Sequence, residues 1–148
     1  MLKLVEYDRT FLDLSMKWLS DPEIASLVMV PSFTKVQQEC FFNSLPTREN
    51  YYIKGLIYNG YPIGAAGIKN IYKEKGEYWG YIGEKQFWGK GIGKDIIRLI
   101  INNAKILGLT SLYLNVHRDN ERAQKLYEKY GFISMSVRGS VILMERSI

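Results

Sequence analysis

The chain has 148 residues, 47% of them apolar and 24% charged, a balance that excludes a disordered or fibrous protein and is enough to close a core. No apolar run reaches the roughly 18 residues of a membrane span, and the opening MLKLVEYDRT lacks a signal-peptide core, so a cytoplasmic protein is expected. The lone Cys40 rules out an internal disulfide and a cysteine-built zinc site, while a formal charge of +5 suits an anionic ligand without naming one.

Leu2 to Tyr7 alternates and reads as a strand. Thr10 and Asp13 have the spacing of a capping box, opening a helix through Trp18 and Leu19 that Ser20-Asp21-Pro22 ends. Thr34 with Gln37 is a second capping box, opening a helix through Cys40 and Phe41 to about Ser44. The period then changes to two. Tyr51 to Tyr58 and Tyr61 to Tyr72 flank Asn59-Gly60, a hairpin signal, and Pro62 delays full pairing of the returning strand. Gly76 to Gly83 is a third strand that runs directly into KQFWGKGIGK. From Gly91 onward Ile92, Ile96, Leu99, Ile100, Ala104 and Leu107 share one helical face, until Gly108 stops the helix. Ser111 to His117 is a further strand. The stretch DNERAQKLYEKYG is a helix carrying Ala123, Leu126, Tyr127 and Tyr130 on one side, with Gly131 as its cap. Two strands joined by a turn at Arg138 to Ser140 follow. With no repeat, low-complexity tract or linker, residues 1–148 read as one domain. The fold class is α/β: a central mixed sheet of six or seven strands flanked by about four helices.

Gly89, Gly91 and Gly93 alternate just before the longest helix. The stretch is not a Walker loop, because Asp95 follows Gly93-Lys94 and Trp88 stands five before Gly93. Nor is it a dinucleotide fingerprint, since the third glycine comes one residue too soon. A strand end, amides with no Cβ in the way, and a helix N-terminus together suit an anion such as a pyrophosphate, with Lys85, Lys90 and Lys94 raising the local potential. A tight turn carrying solvated lysines fits the bare spacing too.

The stretch WGKGIGKDIIRLIINNA resembles the central motif of the GCN5-related N-acetyltransferases (GNAT), [QR]-x-x-G-x-[GA] at the start of a long helix, with Gly91 and Gly93 as the pattern's glycines. The stretch NERAQKLYEKYGF matches the family's second signature through Asn120, Ala123, Leu126, Tyr127, Gly131 and Phe132. The element order is also the family's, so the resemblance covers the whole chain. It implies acetyl-CoA as cofactor and direct acetyl transfer to an amine. Trp88, Gly89, Lys90, Gly91, Ile92, Gly93 and Lys94 would cradle the pyrophosphate, backbone groups of Ile82 and Gly83 would pair with the pantetheine arm, and Asn120 would help hold it. One position departs: the pattern's Gln or Arg falls on Trp88, whose plain alternative is packing against the following helix.

By periodicity Tyr127 is a core aromatic; the motif register makes it the acid that protonates the leaving thiolate, which a phenol near pKa 10 can do only when held close. Many relatives carry an acid where this chain has Asn115. His117, ending the same strand, is the candidate base, with Glu77, Glu84 and water as rivals. A lysine-like amine is neutral about once in 2,500 molecules at pH 7, a deficit of roughly 4.6 kcal/mol, against about 1 kcal/mol for an α-amine. A site with no obvious buried carboxylate therefore favours a low-pKa amine.

The segment WLSDPEIASLVMVPSFTKVQQECFFNSL resembles the branch that acetylates amino sugars on nucleotide carriers, alongside the ribosomal-protein branch. There Asp21 to Phe33 would border the acceptor, with Trp18, Met29 and Phe33 as an apolar wall and Tyr78 and Tyr81 able to stack on a sugar or base. The expected activity is N-acetylation of a small-molecule amine, best an amino sugar. The alternatives are a protein α-amine or a non-catalytic acetyl-CoA sensor. No metal, nucleic acid or membrane partner is expected, and the apolar SVILMERSI permits a homodimer.

Overall fold

The period-two stretches become seven strands of one sheet in the computed structural model, which describes residues 1–148. The elements are β1 (Leu2–Glu6), α1 (Arg9–Leu19), α2 (Pro22–Val28), α3 (Lys35–Ser44), β2 (Tyr52–Tyr58), β3 (Tyr61–Tyr72), β4 (Lys75–Ile82), α4 (Ile92–Ile106), β5 (Ser111–His117), α5 (Glu121–Lys129), β6 (Ile133–Arg138) and β7 (Val141–Ser147). The sheet order is β1-β2-β3-β4-β5-β7-β6, antiparallel throughout except for the parallel pair β4–β5. None of the helices is long and apolar enough to cross a membrane.

Helix ends follow local chemistry, with two corrections to the sequence reading. The cap of α1 is Asp8, whose side chain accepts the Phe11 N–H, rather than Thr10. Five α-helices form rather than about four, because Pro22 opens a helix instead of only closing one: at the first position it has no N–H to waste, and Asp21 caps it by accepting the Glu23 N–H. The Thr34–Gln37 capping box at α3 forms in both directions.

The two sheet faces are packed unequally. Helix α4 buries Ile92, Ile96, Ile97, Ile100, Ile101 and Ala104 against Leu56, Ile63, Ile68, Leu112 and Leu114, within a core of 18 buried residues. Each such side chain contributes about 1.5–3 kcal/mol of burial. The opposite face, under α1 and α2, has a core of only six: Tyr7, Phe11, Leu12, Trp18, Ile24 and Ala65. That thin packing leaves room between sheet and helices for a cavity.

The parallel pair is short. Strand β4 meets β5 only over Lys75–Glu77 and Ser111–Tyr113. Beyond that point β4 stays zipped to β3 up to Ile82, and β5 stays zipped to β7 up to His117, so a gap opens between them.

Candidate active site

Backbone parity decides what faces the gap. The Gly83 N–H donates to the Ile63 carbonyl at 2.6 Å. Alternation along an antiparallel ladder then directs the backbone groups of Tyr81 and Trp79 to β3 as well, and turns those of Gly80 and Ile82 toward the gap. On β5, the Arg118 N–H donates to Ser140 O at 2.7 Å, which leaves Asn115 and His117 facing the gap. The His117 carbonyl is already occupied by Asn120 N–H at 2.9 Å and Gln124 Nε2 at 3.1 Å. A cavity of about 1040 Å³ runs through this gap from one sheet face to the other.

On the α4 side the cavity is walled by the glycine stretch. Gly89 and Gly91 both have φ of +75°, a left-handed conformation that costs an L-residue about 1–2 kcal/mol. Gly91 is the N-cap of α4 and offers no side chain, so the first-turn amides are left open. At Gly93 a Cβ would come within 3.2 Å of Leu126, so its smallness lets α4 and α5 close together. Gly89, Gly91, Ile92, Gly93, Lys94, Ile82, Trp88, Asn120 and Tyr127 all line the cavity. Asn120 Oδ1 caps α5 by accepting the Ala123 N–H at 3.3 Å. The Trp88 indole N–H donates to the Ile82 carbonyl at 2.8 Å, fixing the ring across the mouth of β4.

Two expected cofactor residues and one lysine of the cluster lie elsewhere. Gly83 spends its amide on β3 and packs against the Trp18 ring, where a Cβ would sit 2.2 Å from it. Lys90 is exposed and off the cavity wall. Lys85, counted in the lysine cluster, is drawn away by Asp21 at 2.8 Å and Glu23 at 2.7 Å.

The opposite face of β4 carries Glu77, Trp79 and Tyr81, two residues apart and so on one side of the strand. Glu77 is half-buried at the fork, accepting from Asn115 Nδ2 at 3.1 Å and Asn70 Nδ2 at 3.0 Å, with Lys69 Nζ at 4.0 Å. Beyond it runs a row of rings: Phe41–Tyr51 at 5.2 Å, Tyr51–Trp79 at 6.2 Å and Trp79–Tyr81 at 6.4 Å. Buried Ser15 accepts from both Tyr7 Oη at 2.8 Å and Tyr81 Oη at 3.0 Å. Burial pushes the Tyr7, Tyr51 and Tyr81 phenols up, so all remain protonated donors. Met29, in the left-handed cap of α2, also reaches the cavity.

Several acceptor and base expectations are corrected here. Tyr78 lines the cavity from the α5 side, edge-on to Tyr127 at 6.0 Å, because even positions of β4 point away from the aromatic row. Trp18 is buried behind that row, edge-on to Tyr81 at 6.2 Å, and Phe33 does not line the cavity. His117 is off the cavity wall, its Nδ1 accepting the Asp119 N–H at 3.1 Å, and Glu84 sits in a shallow depression beside Trp18. Of the carboxylates weighed from sequence, Glu77 alone lines the cavity.

Tyr127 stands between the two halves, with its ring against Tyr78 and Phe132 and its phenol pushed up to about 12 by burial.

Comparison with known proteins identifies the family and the fold. The sequence pattern of the "Acetyltransferase (GNAT) family" matches residues 16–132. The chain belongs to this family. A "Probable spermine N(1)-acetyltransferase" of Bacillus subtilis subsp. natto is 32% identical over 95 residues, covering 57% of this chain and 62% of that one. "GCN5-related N-acetyltransferase 6, chloroplastic" of Arabidopsis thaliana is 29% identical over 86 residues, covering 55% of this chain and 30% of that protein. The match thus spans less than two thirds of these curated relatives. Among solved structures, the spermidine N-acetyltransferase of Vibrio cholerae in complex with CoA and spermine superposes with a TM-score of 0.89 at 20% identity, over 99% of this chain and 95% of that one. Campylobacter jejuni N-acetyltransferase PseH in complex with acetyl coenzyme A gives 0.78 at 19% identity, over 99% of each chain.

Within this GNAT chain the sequence reading named Glu77 and Tyr81 on the odd face of β4 but missed Arg122 and Trp79. A Cβ on Gly89 would lie 3.6 Å from the Arg122 guanidinium, so this cation from α5 hangs over the glycine stretch. Its sign was its charge inside the second signature, at a position the pattern leaves free. The alternation Glu77-x-Trp79-x-Tyr81 was equally visible, but nothing in it says which face meets a cavity.

Proposed function

We propose that the protein is an acetyl-CoA-dependent N-acetyltransferase acting on the primary amine of a small molecule, with an amino sugar or nucleotide-linked amino sugar as the acceptor. The carrying observation is the cavity that passes through the β4–β5 gap, joining an anion-binding cradle on one face to a carboxylate and aromatic wall on the other. The chain's residues fit the cofactor. Gly89 and Gly91 expose backbone without a Cβ, the open amides of α4 and the cations of Lys94 and Arg122 suit phosphate, and gap-facing Gly80 offers backbone to an amide-bearing arm. When bound, acetyl-CoA supplies the acetyl group as a thioester.

The remaining work falls to side chains of this protein. Glu77, oriented by two amide donors, receives the acceptor's ammonium and takes its proton, directly or through one water. A carboxylate here removes the premise that the site lacks one, and with it the preference for a low-pKa amine. Tyr127 Oη, protonated throughout the physiological range, delivers a proton to the departing sulfur. Apolar walls from Met29, Ile53 and Trp79 exclude water, so neither proton is exchanged early. The amino-sugar reading is supported by the ring row, which suits a sugar's apolar face.

The test is CoA-thiol release from acetyl-CoA over a panel of nucleotide-linked amino sugars, free amino sugars and peptides with free N-termini, with Tyr127→Phe beside the parent. Turnover on the sugar panel, lost in the variant, supports the reading. Turnover only on peptides moves the acceptor to a protein α-amine. Tight acetyl-CoA binding with no turnover on any amine makes the chain a sensor, and absence of binding overturns the cofactor.

A further inference from the structure

The acceptor half of the cavity has little charge. Away from the glycine stretch, where Lys94 and Arg122 sit, its charged lining residues are Glu77 and Lys69. The carboxylates nearby on α1 to α3 are committed elsewhere: Glu39 to Arg9 at 2.8 Å, and Asp21 and Glu23 to Lys85. None of them lines the cavity. From Glu77 the wall continues along β4 as Trp79 and then Tyr81, each about 7 Å further on, flanked by Tyr51 and Phe41.

A molecule that delivers one ammonium to Glu77 therefore lays its body on rings. If that body carries a second ammonium a few carbons along, the charge comes to rest beside Trp79 or Tyr81 with no anion in reach. A ring face recovers part of the lost hydration but cannot replace a carboxylate. A flat or apolar body at the same place gains by displacing water from the rings.

We infer that the acceptor is a monoamine, one charged nitrogen presented to Glu77 on a flat or apolar body that covers the Tyr51–Trp79–Tyr81 row, and that polyamines are discriminated against. This rests on the transferase reading and narrows it. An amino group on a carrier with a planar ring fulfils it, whereas spermine, named with the Vibrio structure, does not.

The experiment uses the whole chain with acetyl-CoA for steady-state rates, and with CoA for calorimetric amine binding. Butylamine and 1,4-diaminobutane differ only in the second charge, while 2-phenylethylamine adds a ring and spermidine adds charges. The expected kcat/KM for butylamine exceeds that for the diamine by about tenfold, and phenylethylamine exceeds butylamine by about as much again, with the same order in binding. The variant Gln38→Glu, which places a carboxylate on the cavity wall from α3, should raise the diamine-to-butylamine ratio several-fold while CoA affinity stays at the parent value. A diamine or spermidine used as well as the monoamines overturns the inference, as does a ratio that Gln38→Glu leaves unmoved. Turnover confined to polyamines overturns it while sparing the transferase reading. Bound acetyl-CoA with no amine turned over removes both.

Discussion

Strand β4 serves two halves of the site with opposite means. Its even positions, Tyr78, Gly80 and Ile82, lie with α4 and α5 on the side of the glycine stretch, where Gly89 and Gly91 leave backbone uncovered by a side chain. Its odd positions, Glu77, Trp79 and Tyr81, face the other half of the cavity with a carboxylate and two rings. In the backbone-built half the turn is made by Gly89 and Gly91, with the Trp88 ring bonded to the Ile82 carbonyl and Arg122 adding charge from another helix. In a half built from side chains, acceptor choice can change with one or two residues.

Variants on each side sharpen that contrast. The largest effects are expected where the halves meet. Tyr127→Phe should lower kcat about 100-fold or more with CoA affinity unchanged by calorimetry, and Glu77→Gln should lower kcat/KM by a similar factor, also sparing CoA. A variant that loses CoA binding along with turnover would mean the two halves are not separable. Next comes the cradle itself. Gly91→Val forces a β-branched residue to φ of +75° and should weaken CoA by about 10- to 30-fold, leaving the ratio of phenylethylamine to butylamine rates unchanged. If that ratio shifts with it, the backbone half also shapes the acceptor half.

Smaller effects follow. Arg122→Gln should raise the CoA Kd by roughly three- to tenfold and flatten its dependence on salt, because one exposed cation no longer meets phosphate. An unchanged salt slope would place the guanidinium away from the phosphates. The alkaline limb of stability offers a further check. Tyr127 titrates at about 12 in the fold against about 10 unfolded, so its contribution is complete below pH ~10 and is lost as pH rises toward 12. Thermal midpoints should fall over that window, and fall less in Tyr127→Phe. Tyr7, Tyr51, Tyr78 and Tyr81, all raised by burial, keep the remaining slope. Least of all, Trp88→Phe removes one indole-to-carbonyl bond and should cost about 1 kcal/mol, read as a drop of a few degrees in Tm.

Most of the cofactor half was legible because its chemistry sits in consecutive residues. Glycines at 89, 91 and 93 ahead of an amphipathic helix announce a turn no other residue makes cheaply, and Asn120 to Phe132 mark the helix that closes over it. The misreadings at that end, Gly83 and Lys85, concern which way an amide or a long side chain turns. That depends on the Ile63 carbonyl and on Asp21 and Glu23, residues far along the chain. The acceptor half was read less well. Trp18, Phe33 and Tyr78 were expected on its wall, and Tyr51, Trp79 and Ser15 stand there instead, since periodicity separates two faces of a strand without saying what covers either. His117 shares a strand face with Asn115, but the chain turns at Asp119 and takes its ring nitrogen along.

The sequence by itself determined the strands and four of the five helices, the caps at Thr34 and Gly108, the glycine turn ahead of α4 and the family. All of these are written in spacings of a few residues, where local sterics and hydrogen bonding act. Tertiary structure decided three things that spacing does not encode. One is the insertion of β7 between β5 and β6, and another is the gap where β4 and β5 part after Glu77 and Tyr113. The third is the meeting of Glu77 with Asn115 across that fork, 38 residues apart. Such contacts are set by how the sheet pairs as a whole, because each strand is held by the partner on its far side.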